Sequence, residues 1–460
     1  MHHNEQIASA VQCARSLYDI DWGDWTLAAL ERVVDTRPGW TLTKWDGPVS
    51  IETDIAGGEL VAYTGKYGWT ATRYATARLM LPASLCEPEA FAALVEALKK
   101  IGSPVPHRGT SAGPGLRWRD RQRVMILQRN RRDVWLAIHP ACDSPAGEVA
   151  AAFHDRAGAT WTINEVRALA ETRPGWQFDG ELLRVGGSEF LWAAGEIRLI
   201  AYQTESSSEA RIAAFGELFD AVVGNIGDPT VYGGSASGPD VRWRNDDRLL
   251  VLRGDDRGVW LVSRSTAEVE HEEFGIFEHH GPASTTEQFP DYLPYIWQLF
   301  RDGPGEQAYE WPALPKALSL EHFRDALEPL LAAFVSQLPT VVGKGWASFE
   351  IRKRADDGVL RVIFNLINGD GLTVSARHRT YADANSTAVM RARGWQRCDD
   401  SGTWWETGFP DPGHESAAKV ARLIVHELHA WGAVEPEKDL YVEDVSCDDE
   451  GSFHLPGLGI

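Results

Sequence analysis

The chain has 460 residues, with 45 Lys and Arg against 66 Asp and Glu, a formal net charge of −21. At 43% apolar and 24% charged it has a globular composition, which excludes a largely disordered chain and provides material for about three cores. The acidic balance argues against general phosphate-backbone binding, which needs clustered lysine and arginine to displace counterions.

The five cysteines, Cys13, Cys86, Cys142, Cys398 and Cys447, include no CxxC pair. Neither a disulfide framework nor a zinc ribbon is expected. The first twenty or so residues lack the apolar core of a signal peptide. No run approaches the roughly 18–20 apolar residues of a membrane span. The expected protein is cytoplasmic, with reduced thiols and no membrane partner.

From the N-terminus, the chain is organised by a duplication. Trp25-Thr26-Leu27 opens a stretch ending Thr36-Arg37-Pro38-Gly39-Trp40, and Trp161-Thr162-Ile163 opens one ending Thr172-Arg173-Pro174-Gly175-Trp176. Gly113-Pro114-Gly115-Leu116-Arg117-Trp118-Arg119 returns as Gly238-Pro239-Asp240-Val241-Arg242-Trp243-Arg244. Asp133-Val134-Trp135-Leu136 returns as Gly258-Val259-Trp260-Leu261. The second copy is slightly shorter, which predicts a trimmed loop or hairpin. The period is far longer than that of a solenoid, so these are tandem domains of one fold.

In both copies a short amphipathic helix comes first, with Leu27, Leu30, Val33 and Val34 matched by Ile163, Val166, Leu169 and Ala170. Thr162 and Glu165 make a capping box, and Pro-Gly ends each helix. Strands follow, such as Leu60–Tyr63 and Ile197–Tyr202. The second helix carries Phe91, Leu94, Val95 and Leu98, or Ile212, Phe215, Phe219 and Val222. Gly102 and Gly227 stop these helices, and further strands close each copy. The fold class is α+β: three tandem domains, each an antiparallel sheet with helices packed on one face. Their bounds are 1–142 for the first repeat and 150–266 for the second. An acidic linker spans 267–312, with an apolar patch at Tyr292–Trp297. The third domain spans 313–460.

The third domain opens with a helix bearing Leu320, Phe323, Leu327, Leu331 and Phe334, where Pro329 predicts a kink or two abutting helices. Strands follow at about Trp346–Lys353, Val359–Leu366 and Leu372–Ala376, with Asn368-Gly369-Asp370-Gly371 as a hairpin turn. A last helix runs from about Glu415 to Trp431, and an acidic tail begins at Glu435.

Few residues point to chemistry. His426-Glu427-Leu428-His429 has histidines three apart, where a zincin needs four. The glycine-rich stretches 109–115 and 233–238 precede strands, so they lack the helix N-terminus that holds a phosphate and are read as loops. There is no nucleophile elbow and no spacing that singles out an acid/base pair. No catalytic residue, metal or cofactor is expected, and the protein is read as not an enzyme. The basic stretch Arg117–Arg132 is diluted by aspartates in the second copy, so nucleic acid is not an expected partner. Exposed aromatics on a sheet bind peptides or proteins, because rigid rings give contact area at low entropic cost. The candidate partner-binding residues are therefore Trp118, Trp135, Trp243, Trp260, Trp395, Trp404 and Trp405.

Gly394-Trp395, Gly402-Thr403-Trp404-Trp405 and the helix Ser416–Trp431 resemble the C-terminal domain of the bacterial type III secretion/YbjN-like peptide-binding chaperones. Thr403 stands where asparagine is common in that family. The two N-terminal copies resemble an uncharacterised bacterial domain, with Asp21-Trp22 to Trp25 leading in and Arg117-Trp118 or Arg242-Trp243 later. The resemblance implies an α-βββ-α-ββ-α order and a chaperone or adaptor for a peptide or protein client, such as a secreted or toxin-like one. It also suggests dimers, or an intramolecular pseudo-dimer of the repeats. A client-holding chaperone predicts an exposed apolar groove on at least one sheet. The alternative is an immunity protein that binds a toxin's active site, with tight, salt-sensitive association.

Overall fold

The computed structural model describes residues 2–22, 27–44, 49–52, 59–63, 76–102, 104–107, 115–119, 123–129, 134–141, 144–155, 161–193, 196–202, 208–227, 229–244, 247–255, 258–280, 293–300, 316–341, 346–355, 357–365, 371–378, 384–398, 404–411, 413–446 and 452–460. They fall into two units, one comprising 1–231, 241–269 and 302–307, the other 232–240, 270–301 and 308–460. The class is α+β with antiparallel sheets.

The first unit holds both repeats apart from residues 232–240, which belong to the second. α1 (His2–Asp19) and α2 (Leu27–Asp35) lead into β1 (Thr41–Lys44), β2 (Val49–Glu52), β3 (Glu59–Tyr63) and β4 (Thr76–Leu81). α3 (Pro88–Leu98) precedes β5 (Val105–His107), β6 (Gly115–Arg119), β7 (Arg123–Arg129) and β8 (Val134–Pro140). The sheet order is β1-β2-β3-β4-β8-β7-β6-β5. In the second copy α4 (Pro145–His154) and α5 (Ile163–Thr172) precede β9 (Trp176–Phe178), β10 (Leu182–Val185), β11 (Ser188–Ala193) and β12 (Glu196–Tyr202). α6 (Ser208–Ile226) leads to β13 (Val231–Ser235), β14 (Gly238–Arg244), β15 (Arg248–Gly254) and β16 (Val259–Ser265). The order β9-β10-β11-β12-β16-β15-β14 repeats that of the first copy. The shortening falls where Tyr63 leads to Thr76 in one copy and Ala193 to Glu196 in the other.

The repeated motifs are structural. Thr162 Oγ1 accepts from Glu165 N at 3.4 Å, and Glu165 Oε2 accepts from Thr162 N at 2.7 Å, closing the capping box. Gly39 and Gly175 have φ of 87° and 81°, the left-handed conformation that ends each helix at low cost. That turn lays Arg37 over Trp40 at 5.1 Å and Arg173 over Trp176 at 4.9 Å. The indole of Trp118 donates to Ile101 O beyond α3, and that of Trp243 to Gly227 O beyond α6 at 2.8 Å. Each Arg-Trp strand is thus tied to the end of the preceding helix.

One face of the first sheet packs Leu116, Trp118, Met125, Leu127 and Leu136 against α1, α2 and α3. Strand alternation sends Val124, Ile126 and Ala137 to the opposite face, and they too are buried. α6 of the second copy reaches β7 as well as its own β15, and packs along α4. Each copy therefore has helices of its own, and the first sheet's second face is also covered.

The second unit contains most of α7 (Thr266–His280), then β17 (Trp297–Phe300), α8 (Leu320–Val341), β18 (Trp346–Lys353), β19 (Val359–Asn365) and β20 (Gly371–Arg377). α9 (Ala384–Ala392), β21 (Gln396–Arg397), β22 (Trp405–Phe409), α10 (His414–Ala430), α11 (Pro436–Asp439), β23 (Leu440–Ser446) and β24 (Ser452–His454) complete it. Its sheet runs β21-β22-β20-β19-β18-β23-β24-β17-β13. α8 and α10 pack together on one face, where Phe334 meets Phe349 edge-on at 6.0 Å. Phe349, Leu360, Val362, Phe364, Val374 and Trp405 point inward and are buried.

Several elements differ from the sequence reading. The 267–312 segment is more than a linker: 266–280 is helical, and Leu293, Tyr295, Ile296, Trp297 and Leu299 are buried. The many acids obscure this: Glu268, Glu272 and Glu278 are exposed, while Glu270 and Glu273 are buried among the apolar residues of the helix. The acidic tail forms β23, central in the sheet and paired with β18. Gly233 and Gly234 are strand rather than loop residues. α8 continues through Pro329 as one helix. The turn residues 368–370, the stretch 109–114, Cys142, Cys447, Thr403 and much of 281–315 lie outside the described residues.

Candidate functional site

The face of the third-domain sheet opposite α8 and α10 is polar. Register sets Glu443 beside Glu350, Glu350 beside Arg361, Arg361 beside Ser375, and Ser375 beside Glu406. Glu350 is central and its side chain is only 2% exposed. Its two oxygens are divided between two arginines: Arg361 Nε donates to Oε1 at 2.7 Å, and Arg352 Nε to Oε2 at 2.8 Å. Arg352 also pairs with Glu443 at 2.8 Å. Burial pushes the Glu350 carboxyl up, but the hydrogen bonds from Arg361 and Arg352 outweigh it and hold it below the usual carboxylate range. Ser375 Oγ donates to Glu406 Oε2 at 3.2 Å.

Trp404 stands at the edge of this ladder. Arg361 lies 5.2 Å and Arg377 5.0 Å from its ring. Its neighbour Trp405 points inward and is fully buried, while Trp404 is half-buried. The pair thus divides its work by strand alternation: one ring fills the core and the other takes two arginines over its ring.

The remaining tryptophans divide in the same way. Trp118, Trp243 and Trp395 are buried, as Trp405 is, so these four are core side chains and not partner-binding ones in this fold. Trp135 and Trp260, at equivalent places in β8 and β16, are half-buried, and Trp260 Nε1 donates to Asp255 Oδ1 at 3.3 Å. Glu350, Arg352, Arg361 and Arg377 escaped the sequence reading. Their signal is the polar residue at every second place in Phe349–Arg352, and the lone polar Arg361 within the apolar run Val359–Phe364.

A pocket of about 470 Å³ lies elsewhere in the second unit, lined by Asp325, Glu328, Pro329, Ala332, Ala333, Ser336 and Gln337 of α8, with Ala236 and His414. In the first unit, Arg117 is buried and paired with Asp155 just after α4. Burial lowers the Arg117 guanidinium from its usual range, against the opposing pull of Asp155. Among the described residues no group of three or more His, Cys, Asp or Glu is arranged to hold a metal ion. His426 and His429 lie on α10, and Glu427 between them is buried and paired with Arg393 at 3.3 Å. No helix of the described residues is long and apolar enough to cross a membrane. No protein-family model, curated protein or solved structure matches this chain.

Proposed function

We propose that this protein is a non-enzymatic protein-binding adaptor, and that a folded partner docks on the third-domain sheet face around Trp404. The observation that carries this reading is Trp404 held half-exposed between Arg361 and Arg377. Tryptophan and arginine dominate binding hot spots, and rings held in place lose little entropy on association. The Glu350 ladder anchors Arg361 from below, so the array is organised before a partner arrives.

The element order α8-β18-β19-β20-α9-β21-β22-α10 supports the resemblance to the YbjN-like chaperones. The surface favours polar recognition over the holding of unfolded clients. Exposed large apolar side chains among the described residues are Met80, Ile163, Ile212, Leu318, Val389 and Val434, each on a different segment of the chain. A cytoplasmic location belongs to this reading, and the free thiols Cys13, Cys86 and Cys398 suit a reducing compartment. A second reading, an immunity protein for a basic toxin, is favoured by the net charge of −21, which would speed association with a cationic partner.

Affinity capture with the full chain, at rising salt, tests both. A single folded partner retained by the wild type and lost with Trp404→Ala supports the adaptor face. Release of that partner by moderate salt, with Trp404→Ala without effect, favours the immunity reading. The same set of captured proteins for both chains, insensitive to salt, overturns both.

A further inference from the structure

The pocket on α8 is a separate site from the Trp404 face. We propose that it binds a basic side chain, lysine or arginine, presented by an extended segment of a partner protein.

Its volume of about 470 Å³ suits a side chain and its flanking backbone rather than a folded body. Its charge is one-sided. Of the described residues that line it, Asp325 and Glu328 are acidic, His414 is the one basic side chain, and none is lysine or arginine. Arg324 holds Asp325 Oδ1 at 2.7 Å and so offsets part of that charge. Glu328, one turn from the floor, has no ion-pair partner among the described residues. Pro329 adds a further acceptor. It has no N–H to give the Asp325 carbonyl one turn earlier, so that oxygen keeps its capacity for a donor. A guanidinium or ammonium brings several donors and a positive charge, which is what these groups lack.

The floor suits the rest of such a side chain. Ala332 and Ala333 are small and largely buried, so an alkyl stem can lie along the helix while its charged head reaches Glu328.

The opposite wall is held in place by a relay of hydrogen bonds. Trp297 Nε1 donates to Gln337 Oε1 at 2.7 Å, and Gln337 Nε2 donates to Ser235 O at 2.9 Å. Ile296 N donates to Gly234 O at 2.8 Å. These contacts fix the hairpin whose tip supplies Ala236. They also explain Gly234, where a Cβ would strike the Gln337 side chain and come within 2.7 Å of Trp297 Nε1.

Fluorescence anisotropy on the full chain tests the proposal. The probes are a fluorescein-labelled peptide with one central arginine in an alanine-serine background, and its counterpart with glutamate in place of that arginine. The arginine peptide should bind at least tenfold tighter at low salt. Glu328→Gln should weaken it roughly three- to tenfold, in keeping with a partly screened charge pair. Ala236→Trp, at an exposed position on the rim, should block it without touching the core. Trp404→Ala should leave it unchanged, which separates this site from the adaptor face. Circular dichroism verifies that each variant is folded. Equal affinity for both peptides, no binding of the arginine peptide at millimolar concentration, or undiminished binding in folded Glu328→Gln and Ala236→Trp overturns the proposal.

Discussion

Glu350 shows how one side chain can be read only from its neighbours. In sequence it is an acid in an apolar strand. In the fold it is a buried anion with an arginine on each oxygen. Glu350→Gln leaves Arg361 and Arg352 facing a neutral amide. The expected loss is about 2 kcal/mol, below the 3–5 kcal/mol of a wholly buried pair because both arginines also reach water. Because the folded-state carboxyl is held below its ordinary value, its contribution is complete above about pH 4.5 and fades as pH falls through the lowered folded value. Chemical denaturation of wild type and Glu350→Gln between pH 3 and 7 checks this, since the stability difference should shrink at the acid end. The tryptophans make the same point. Trp118→Ala should cost about 3–5 kcal/mol in the core, whereas Trp404→Ala should cost under about 1 kcal/mol, and thermal melts would separate them. Aromatic spacing located these residues, but strand alternation at each site decided which were surface.

Secondary structure was the most legible scale. The capping box at Thr162, the proline opening α3 and the positive-φ glycines closing α2 and α5 are local devices, visible without a fold. Thr162→Ala should cost about 1 kcal/mol, measured by urea denaturation, because it removes one donor's partner at the first turn of α5. Elements whose partners are distant were misread. β13 looks like a glycine loop, yet Gly233 and Gly234 are strand because Trp297 and Gln337 pack directly on their backbone. Gly234→Ala should cost about 1–3 kcal/mol by displacing Gln337, and a blue- or red-shifted emission of Trp297 should accompany it. The tail was misread for the same reason. The acids Glu443 and Asp444 and those before them hid a strand that pairs with β18 at Leu440–Glu443 and Ser446.

At the scale of the first unit, duplication explains the architecture. Both copies use one strand order, and the connection between them, α4, joins the second copy's α6. Arg117 belongs to the first sheet, and Asp155 follows the connecting helix. The basic stretch that resembled a nucleic-acid surface thus has one of its arginines, Arg117, turned inward against a carboxylate. Asp155→Ala should cost about 3 kcal/mol by leaving that guanidinium buried without its counter-charge, and Arg117→Met with Asp155→Ala should recover much of the loss. A double-mutant cycle by denaturant titration would measure the coupling, and purely additive effects would count against it.

The sequence by itself determined the α+β class, the duplication, most helix and strand positions, and the absence of recognisable catalytic motifs. These depend on periodicity, caps and repeated words, which are local properties of the chain. Only the tertiary structure decided which tryptophans face water, that an acidic tail and a supposed linker build the second unit, and where Glu350, Arg361 and Arg377 meet. Those facts depend on register and on which residues distant in sequence lie side by side. A strand's side chains alternate faces, so a pattern can show that two sets exist without saying which one the core takes.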